Sequence, residues 1–373
     1  MRLRRLPRGD RRAAAAFVDL PYRLYERTPQ WAPDGLYTEQ YRRMQPGAHP
    51  FYAHSEADFF VVEEGGEVVG RVAAIDNRRF NEHKGTAEAF FGYFESVDDS
   101  AVAARLLDAV MEWASRRDLD TVSGPRGLLG FDGSVLVEGF EHPAVVGVPW
   151  NPPHYGPAIE ASGFVPDEDY LSGFMTTDIA IPQAVFDLAD KVVARGTYSV
   201  KHFTSSRELR AWAPRLKEAY LASVSELASF YPPTDAEIDD LVGTVLSVAD
   251  PRGIKLVMSD DEIAGFLFCY PDLAPALRAT GGRLWPLGWA TLLRARSQST
   301  HYCINGLGML PEHRGRGGNA VLYAAITRTA IDEIGMVGAE VVQVAEHNTA
   351  SIKDMAKLGT VWQKRHRRYR LTL

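Results

Sequence analysis

A glycine- and arginine-rich segment near the end of the chain has the composition of an anion-binding site. Its residues are Arg314, Gly315, Arg316, Gly317, Gly318 and Asn319, and apolar runs precede and follow them. Glycine lets backbone N–H groups approach a ligand, and the start of a helix directs further N–H groups and a partial positive charge at the same point. Arginines add charge-assisted hydrogen bonds. The segment therefore predicts a site for a phosphate ester.

Two familiar phosphate loops fit this segment poorly. A Walker A loop is excluded because no Gly-Lys-Ser/Thr ends the segment. A dinucleotide fingerprint is matched in part, because Gly315, Gly317 and Ala320 fit G-x-G-x-x-A and Glu346 follows at the end of the next apolar run. Residues 311–314 separate the expected strand from the first glycine, however, and only 27 residues follow Glu346. That length leaves no room for the remaining strands of such a fold.

The elements that must position this loop are predicted twice along the chain. Each half predicts the order β-α-α-β-β-β-α-β-α-β, an α/β fold with a mixed sheet. Hairpins are expected at Gly65-Gly66 and Asp260-Asp261, and helices are expected to begin after Asp10 and Thr234. The predicted domains are residues 1–180 and 195–373, with the linker between Asp178 and Tyr198.

The loop in this setting resembles the pyrophosphate signature of the GNAT superfamily of acyl-CoA-dependent N-acyltransferases. Arg314 and Gly317 match Arg/Gln-x-x-Gly-x-Gly/Ala, and Asn319 stands where Gly or Ala is usual. Downstream, Asn348 matches the asparagine that binds the pantetheine arm in this family, whereas Met355 replaces the tyrosine that usually protonates the leaving thiolate. The resemblance implies a tandem pair of GNAT folds with acetyl-CoA or another acyl-CoA as co-substrate, and no metal.

The first half resembles the same fold without the same site. Asp98 and Asp99 occupy the place of the glycine loop, where they would repel a diphosphate. They are interpreted as helix caps, so the N-terminal copy is expected to be degenerate.

The family's chemistry assigns candidate roles. A backbone N–H of Met309 or Leu310 is expected to polarise the thioester carbonyl. Candidate bases for the amine are Glu346, His347 and His301, and candidate replacement acids are Tyr302 and Tyr369. Residues expected to contact the cofactor are Met309, Leu310, Arg314, Gly315, Arg316, Gly317, Gly318, Asn319 and Asn348.

Three further features receive structural interpretations. Cys269 and Cys303 lie in apolar runs and are expected to be buried thiols. The basic stretch at 364–370 is interpreted as a solvated strand face. An insertion at about 275–297, with Trp285 and Trp289, is expected to pack between the two copies rather than to form a substrate lid.

Composition limits the classes of partner that the protein is expected to bind. The net charge of −7 argues against bulk nucleic-acid binding, and the absence of any long apolar run predicts a cytoplasmic protein without a membrane partner. The expected activity is acyl transfer, with acetyl as the expected group, to an amine of a small molecule. Two alternatives remain open: a Fem-type transferase that uses aminoacyl-tRNA, and a non-catalytic CoA-binding or scaffold protein.

Overall fold

The computed structural model describes residues 1–130, 132–176, 181–225 and 230–373. The chain forms two compact units. Unit 1 comprises residues 1–171, 274–292 and 364–373, and unit 2 comprises residues 172–273 and 293–363.

The strands and helices contain the duplicated order, with additional helices at 78–84, 183–194, 274–280 and 288–298 and an additional strand at 135–138. The strands are β1 (Arg2–Arg5), β2 (Glu56–Glu64), β3 (Glu67–Asp76), β4 (Glu88–Ser96), β5 (Thr121–Gly124), β6 (Val135–Glu138), β7 (Val165–Thr176), β8 (Ser199–His202), β9 (Ile254–Ser259), β10 (Glu262–Pro271), β11 (His301–Met309), β12 (Gly338–Ala345) and β13 (Val361–Thr372). The helices are α1 (Arg11–Leu24), α2 (Tyr37–Arg42), α3 (Arg78–Lys84), α4 (Ser100–Ser115), α5 (Tyr155–Ala161), α6 (Gln183–Ala194), α7 (Ser206–Val224), α8 (Asp235–Val248), α9 (Ala274–Thr280), α10 (Gly288–Gln298), α11 (Gly318–Thr329) and α12 (Thr349–Lys357).

Unit 1 is built on the strand order β1-β2-β3-β4-β5-β13, and β6 also pairs with β13. Neighbours from β1 to β4 are antiparallel, and β4 and β5 are parallel. Helix α4 packs on this sheet through the apolar face that its sequence period predicts, including Val102, Leu106 and Trp113.

Unit 2 repeats the arrangement in the order β12-β11-β10-β9-β8, in which β11 and β12 are parallel. Helices α7 and α8 contribute to an apolar cluster with one face of the sheet, whereas α6 and α11 contribute to the cluster on the other face. Both predicted buried thiols are confirmed, because Cys269 and Cys303 are buried.

The structure confirms the predicted helix caps and hairpin turns. Asp10 and Asp99 accept hydrogen bonds from N–H groups of the first turns of α1 and α4. Thr234 and Glu237 form a reciprocal capping box at α8. The two predicted hairpins are β2–β3 and β9–β10.

The basic stretch at 364–370 is not a solvated face, so that prediction is wrong. Lys364, His366 and Arg368 are buried within unit 1. The Lys364 ammonium donates to the carbonyl of Pro143, and Arg368 Nε donates to the carbonyl of Gly133. The stretch is therefore part of the framework of unit 1.

On the other face of the same strand, the half-buried Arg365 and Arg367 pair with one carboxylate. Their guanidinium groups lie 3.0 and 2.7 Å from Asp169. These ion pairs hold the pKa of Asp169 below its usual value, although burial opposes the shift.

The units differ from the predicted domains in three segments. Residues 172–176 belong to unit 2, although the sequence places them in the first domain. Residues 274–292 and 364–373 belong to unit 1, although the sequence places both in the second domain. The predicted linker begins at Asp178, which lies outside the described residues. Its later part contains α6, which packs in unit 2 and pairs with α11 through Asp190 and Arg328.

The tryptophans of the insertion are exposed, so the prediction that they pack is also wrong. Trp285 is 82% exposed and Trp289 is 49% exposed. Within the described part of the chain, no helix combines the length and the apolar character needed to cross a membrane.

Candidate active site

The central strands of unit 2 separate beside the glycine loop. β11 and β12 pair in parallel from His301 and Gly338 to Ile304 and Val341. β11 continues to Met309 while paired with β10 on its other side. Its last residues therefore present backbone groups toward the gap between β11 and β12, where an extended ligand could pair with them.

The hydrogen-bond alternation decides which N–H groups face this gap. The N–H of Leu310 donates to the carbonyl of Ala264 at 2.9 Å. Met309, the residue before Leu310, lies opposite Gly265 in the antiparallel pairing of β11 with β10. Because N–H groups alternate along an antiparallel pair, the Met309 N–H points away from β10 and toward the gap. Leu310 is thus unsuited to polarise a carbonyl there, and Met309 fits that role.

The glycine loop lies at the same edge of the sheet. Gly317 is the N-cap of α11 in the left-handed conformation, with φ of 85°. A Cβ at Gly318 would lie 2.2 Å from Met309 Cε, so the helix start packs directly against the end of β11. Arg314 and Arg316 are exposed beside it. Backbone N–H groups, a helix N-terminus and two guanidinium groups therefore lie together, which is the composition expected of an anion site.

The glycine loop also packs against α6. A Cβ at Gly317 would lie 2.9 Å from Val192 Cγ2 of that helix. His313 is held by a hydrogen bond of 3.0 Å between its Nδ1 and the Tyr198 hydroxyl. These contacts fix the loop before any ligand binds, which lowers the entropy cost of binding.

The end of β12 brings further candidates to this edge. Glu346, His347 and Asn348 follow the last residue of β12 and are exposed. Because carboxyl ends of parallel strands share one edge of a sheet, they lie on the same side as the glycine loop. The Asn348 side chain caps α12 by accepting from the Ser351 N–H at 3.2 Å. Its amide NH2 group can still donate to a ligand.

Two sequence-predicted catalytic residues lie at the wrong end of the sheet. His301 and Tyr302 begin β11, whereas the loop follows its last residue. At about 3.3 Å per residue, Tyr302 and Met309 are separated by about 20 Å. Tyr302 is also buried, and burial raises the pKa of its hydroxyl. Neither residue can serve the site at the glycine loop.

Tyr369, the other candidate acid, belongs to the core of unit 1. It is fully buried, and its hydroxyl donates to Glu160 at 3.2 Å. Its role is therefore structural within that unit.

A tyrosine that the sequence analysis missed lies beside Met355. Tyr323 of α11 packs in one apolar cluster with Met355, Val341 and Leu358, and Leu307 of β11 borders this cluster. Burial, with a smaller effect from the charge of Asp354, raises the pKa of Tyr323 above its usual value. The hydroxyl consequently stays protonated throughout the neutral range. No sequence signal marks it, because its neighbour Met355 comes from another helix.

The opposite face of β11 is aromatic. The rings of Phe266 and Phe268 stack at 4.7 Å, and Tyr220 of α7 lies 6.1 Å from Phe266. A Cβ at Gly306 would lie 2.9 Å from the Phe268 ring. The β10–β11 pairing has a bulge between Leu267 and Cys269. Aromatic side chains thus border the backbone of β11 beyond this bulge.

Unit 1 contains the same gap, but its own chain fills it. β4 and β5 pair in parallel from Glu88 to Phe90 and then separate. The N–H of Arg126 donates to the carbonyl of Phe91 at 2.8 Å. A Cβ at Gly92 would lie 2.1 Å from the Arg126 carbonyl oxygen. With Asp99 capping α4 where unit 2 has glycines, the described residues of unit 1 form neither an open gap nor a glycine loop.

Comparisons with known proteins agree with this arrangement. The model of the acetyltransferase (GNAT) family matches residues 214–360, within the C-terminal half. A bacterial ceramide synthase of Caulobacter vibrioides is 30% identical over 285 residues, which are 74% of this chain and 72% of that protein. The protein YghO of Escherichia coli is 26% identical over 281 residues, 74% of this chain and 70% of that protein.

Among solved structures, a tandem GNAT protein from the clavulanic acid biosynthesis pathway matches 100% of this chain and 98% of its own. The TM-score is 0.58 at 15% sequence identity, so this likeness concerns the fold. Together with the gap between β11 and β12 and the glycine loop at its edge, these matches show that the chain belongs to the GNAT acetyltransferase family and has a tandem GNAT fold.

Proposed function

We propose that this protein transfers an acyl group from an acyl-CoA thioester to an amine nitrogen, and that the reaction takes place in unit 2. The observation that carries the proposal is the end of β11 that no longer pairs with β12, beside the glycine loop. A pantetheine arm would pair with the strand while the diphosphate binds the N–H groups of the loop. Arg314 and Arg316 would add charge-assisted bonds, and Asn348 would donate to the arm.

Each chemical task has a candidate group. The Met309 N–H polarises the thioester carbonyl as the amine attacks its carbon. Glu346, directly or through water, accepts the proton that the ammonium must lose, since a free alkylamine has a pKa of about 10. The C–S bond then breaks, and Tyr323 supplies the proton to the departing CoA sulfur in place of the tyrosine that Met355 replaces.

For the acceptor, we propose a long-chain amino alcohol acylated from a long-chain acyl-CoA. The relative from Caulobacter vibrioides is named a ceramide synthase, and a ceramide is an N-acylated amino alcohol of this kind. The half-buried rings of Tyr220 and Phe268, packed against the apolar cluster beside β11, suit an apolar chain. A second candidate, acetyl transfer to a small soluble amine, is favoured by the match to the acetyltransferase family model.

A chain-length series separates these candidates. Free thiol release is followed with acetyl-, octanoyl- and palmitoyl-CoA, each against spermidine and against a sphingoid base. Turnover confined to palmitoyl-CoA and the sphingoid base supports the first candidate, and turnover confined to acetyl-CoA and spermidine supports the second. Silence on all six pairs despite tight acyl-CoA binding would make the protein a CoA-binding module.

The cofactor site is tested by calorimetry on the full chain. We expect one acyl-CoA per chain, because only unit 2 has an open gap and a glycine loop in the described residues. Gly317→Asp should weaken binding by at least about 100-fold, since it places a carboxylate at the diphosphate. Gly335→Asp is the matched control, because Gly335 has φ of 69° and open space around its Cβ.

Two results would contradict this assignment. A stoichiometry of two would restore a site to unit 1. Equal affinity of the Gly317→Asp variant and the wild type would remove the diphosphate from the loop. Binding of aminoacyl-tRNA instead of acyl-CoA would favour a Fem-type donor.

A further inference from the structure

The connection between β10 and β11 carries a feature that the acyl-transfer chemistry does not use. It spans residues 272–300 and contains α9 and α10, whereas the equivalent connection in unit 1, between β3 and β4, spans residues 77–87 and contains only α3. The longer connection is therefore an elaboration of the second copy.

The tip of this connection exposes large apolar side chains. Trp285 is 82% exposed, Leu287 is 70% exposed and Trp289 is 49% exposed. We call these three residues the tryptophan tip. Keeping such side chains in water is unfavourable in free energy, because their apolar surface is not buried. Exposed apolar clusters of this kind mark interaction surfaces.

The base of the same connection is firmly held in unit 1. The Tyr37 N–H donates to the carbonyl of Gly282 at 2.9 Å. The Arg283 guanidinium lies 4.2 Å from the centre of the Tyr37 ring and 3.4 Å from an oxygen of Asp19. Because these contacts end two residues before Trp285, the tip is presented outward from an anchored base.

The charge of the segment is opposite to that of the chain. Between Asp272 and Glu312 the sequence has no Asp or Glu, but it has the arginines Arg278, Arg283, Arg294 and Arg296. The whole chain has a net charge of −7. Arg283 is engaged with Asp19, whereas Arg278 is exposed on α9. The segment that carries the tip is thus cationic in sequence on an acidic protein, and Asp19 neutralises one of its four arginines.

We propose that the tryptophan tip docks this protein on an anionic membrane surface. Tryptophan is favoured at the level of lipid headgroups, where its ring is apolar and its N–H can bond to polar groups. Leucine inserts deeper, and nearby arginines attract anionic headgroups. Exposed Trp and Leu with arginines in the same segment match a lipid surface, whose interfacial region takes up aromatic side chains and whose anionic headgroups attract guanidinium groups. The tip binds peripherally, which differs from the expectation of no membrane partner.

The test is co-sedimentation of the full chain with vesicles, and it does not depend on enzymatic activity. We expect binding to vesicles of equal parts phosphatidylglycerol and phosphatidylcholine at least about 10-fold tighter than to pure phosphatidylcholine, and a marked loss in 0.5 M NaCl. Trp285→Ser/Leu287→Ser/Trp289→Ser should weaken binding by at least about 10-fold. Arg278→Glu should reduce the preference for phosphatidylglycerol while leaving the weaker binding to phosphatidylcholine nearly unchanged.

The matched control is Ile331→Ser/Val337→Ser, which removes two exposed apolar side chains from another part of the surface. It should bind vesicles like the wild type. Circular dichroism and the melting temperature establish that each variant is folded. Failure of the folded wild type to sediment with anionic vesicles would overturn the proposal, as would wild-type binding by the triple variant. If the wild type instead dimerises through the tip and the triple variant is monomeric, the surface is a contact between copies of the chain.

Discussion

Replacement of His366 by glutamine should remove a large part of the acid sensitivity of unit 1. The imidazole is fully buried, and its Nε2–H donates to the carbonyl of Pro149 at 2.9 Å. Burial, with a smaller effect from the charge of Lys364, lowers the pKa of His366 to about 4, although the bond to Pro149 opposes the shift. Glutamine retains an N–H donor but does not titrate.

The sign of the effect follows from proton linkage. The unfolded histidine has a pKa of about 6.5, so below that pH the unfolded state binds a proton that the folded state excludes. The contribution to stability is complete above pH 6.5 and is lost as the pH falls toward 4. A gap of about 2.5 pH units, at about 1.36 kcal/mol each, gives about 3 kcal/mol in total. About 2 kcal/mol of this is lost by pH 5.

The assay is urea unfolding followed by far-ultraviolet circular dichroism at pH 8 and pH 5. The wild type should lose about 2 kcal/mol more than the His366→Gln variant between these two values. At pH 8 the variant is expected to be somewhat less stable than the wild type, because glutamine fills the site imperfectly. The difference between the two pH values is therefore the quantity to compare. His83→Gln is the control, because His83 is an exposed histidine of the same unit.

One outcome would refute this reasoning. If His366→Gln and wild type lose the same free energy of unfolding between pH 8 and pH 5, His366 does not exclude a proton in the folded state. The strand at 364–370 would then be accessible to water, as the sequence pattern predicts.

Three further variants test the rest of the structure. Tyr323→Phe should lower kcat by about 10- to 100-fold with an unchanged Kd for acyl-CoA. The loss should be largest at high pH, where solvent protons are scarce. An unchanged kcat in the thiol-release assay would eliminate Tyr323 as the acid. Met355→Tyr should lower the melting temperature, because a larger side chain in this buried cluster costs about 1–3 kcal/mol, and should raise kcat at most modestly; a large gain would show that the usual tyrosine position still serves the reaction. Asp58→Asn should destabilise unit 1 by about 2–3 kcal/mol, because Asp58 accepts a hydrogen bond from Trp113 at 2.7 Å and pairs with Arg5 at 2.7 Å. Because Arg5 is exposed, the loss should be smaller than that for a fully buried ion pair. Unchanged urea unfolding of Asp58→Asn would show that these bonds are no stronger than those to water.

The sequence by itself determined the features whose physics is local. Caps such as Asp99 and Thr234 act on the next turn of the chain, and the hairpins depend on neighbouring turn residues. The glycine loop is also local, because strand, loop and helix follow one another from β11 to α11. The duplicated order of elements and the unequal copies could be predicted for the same reason.

Only the tertiary structure decided which of the candidate groups meet. His301 and Met309 are close in sequence, but an extended strand places them at opposite ends of the sheet. Tyr323 and Met355 are distant in sequence, yet helix packing brings them into one cluster. Lys364 and His366 occupy alternate positions, as polar residues do on a solvent-facing strand. In the fold they are buried within unit 1, where they donate to backbone carbonyl groups. Periodicity records which residues share a face of an element, whereas the partner that covers the face is set by packing across the fold.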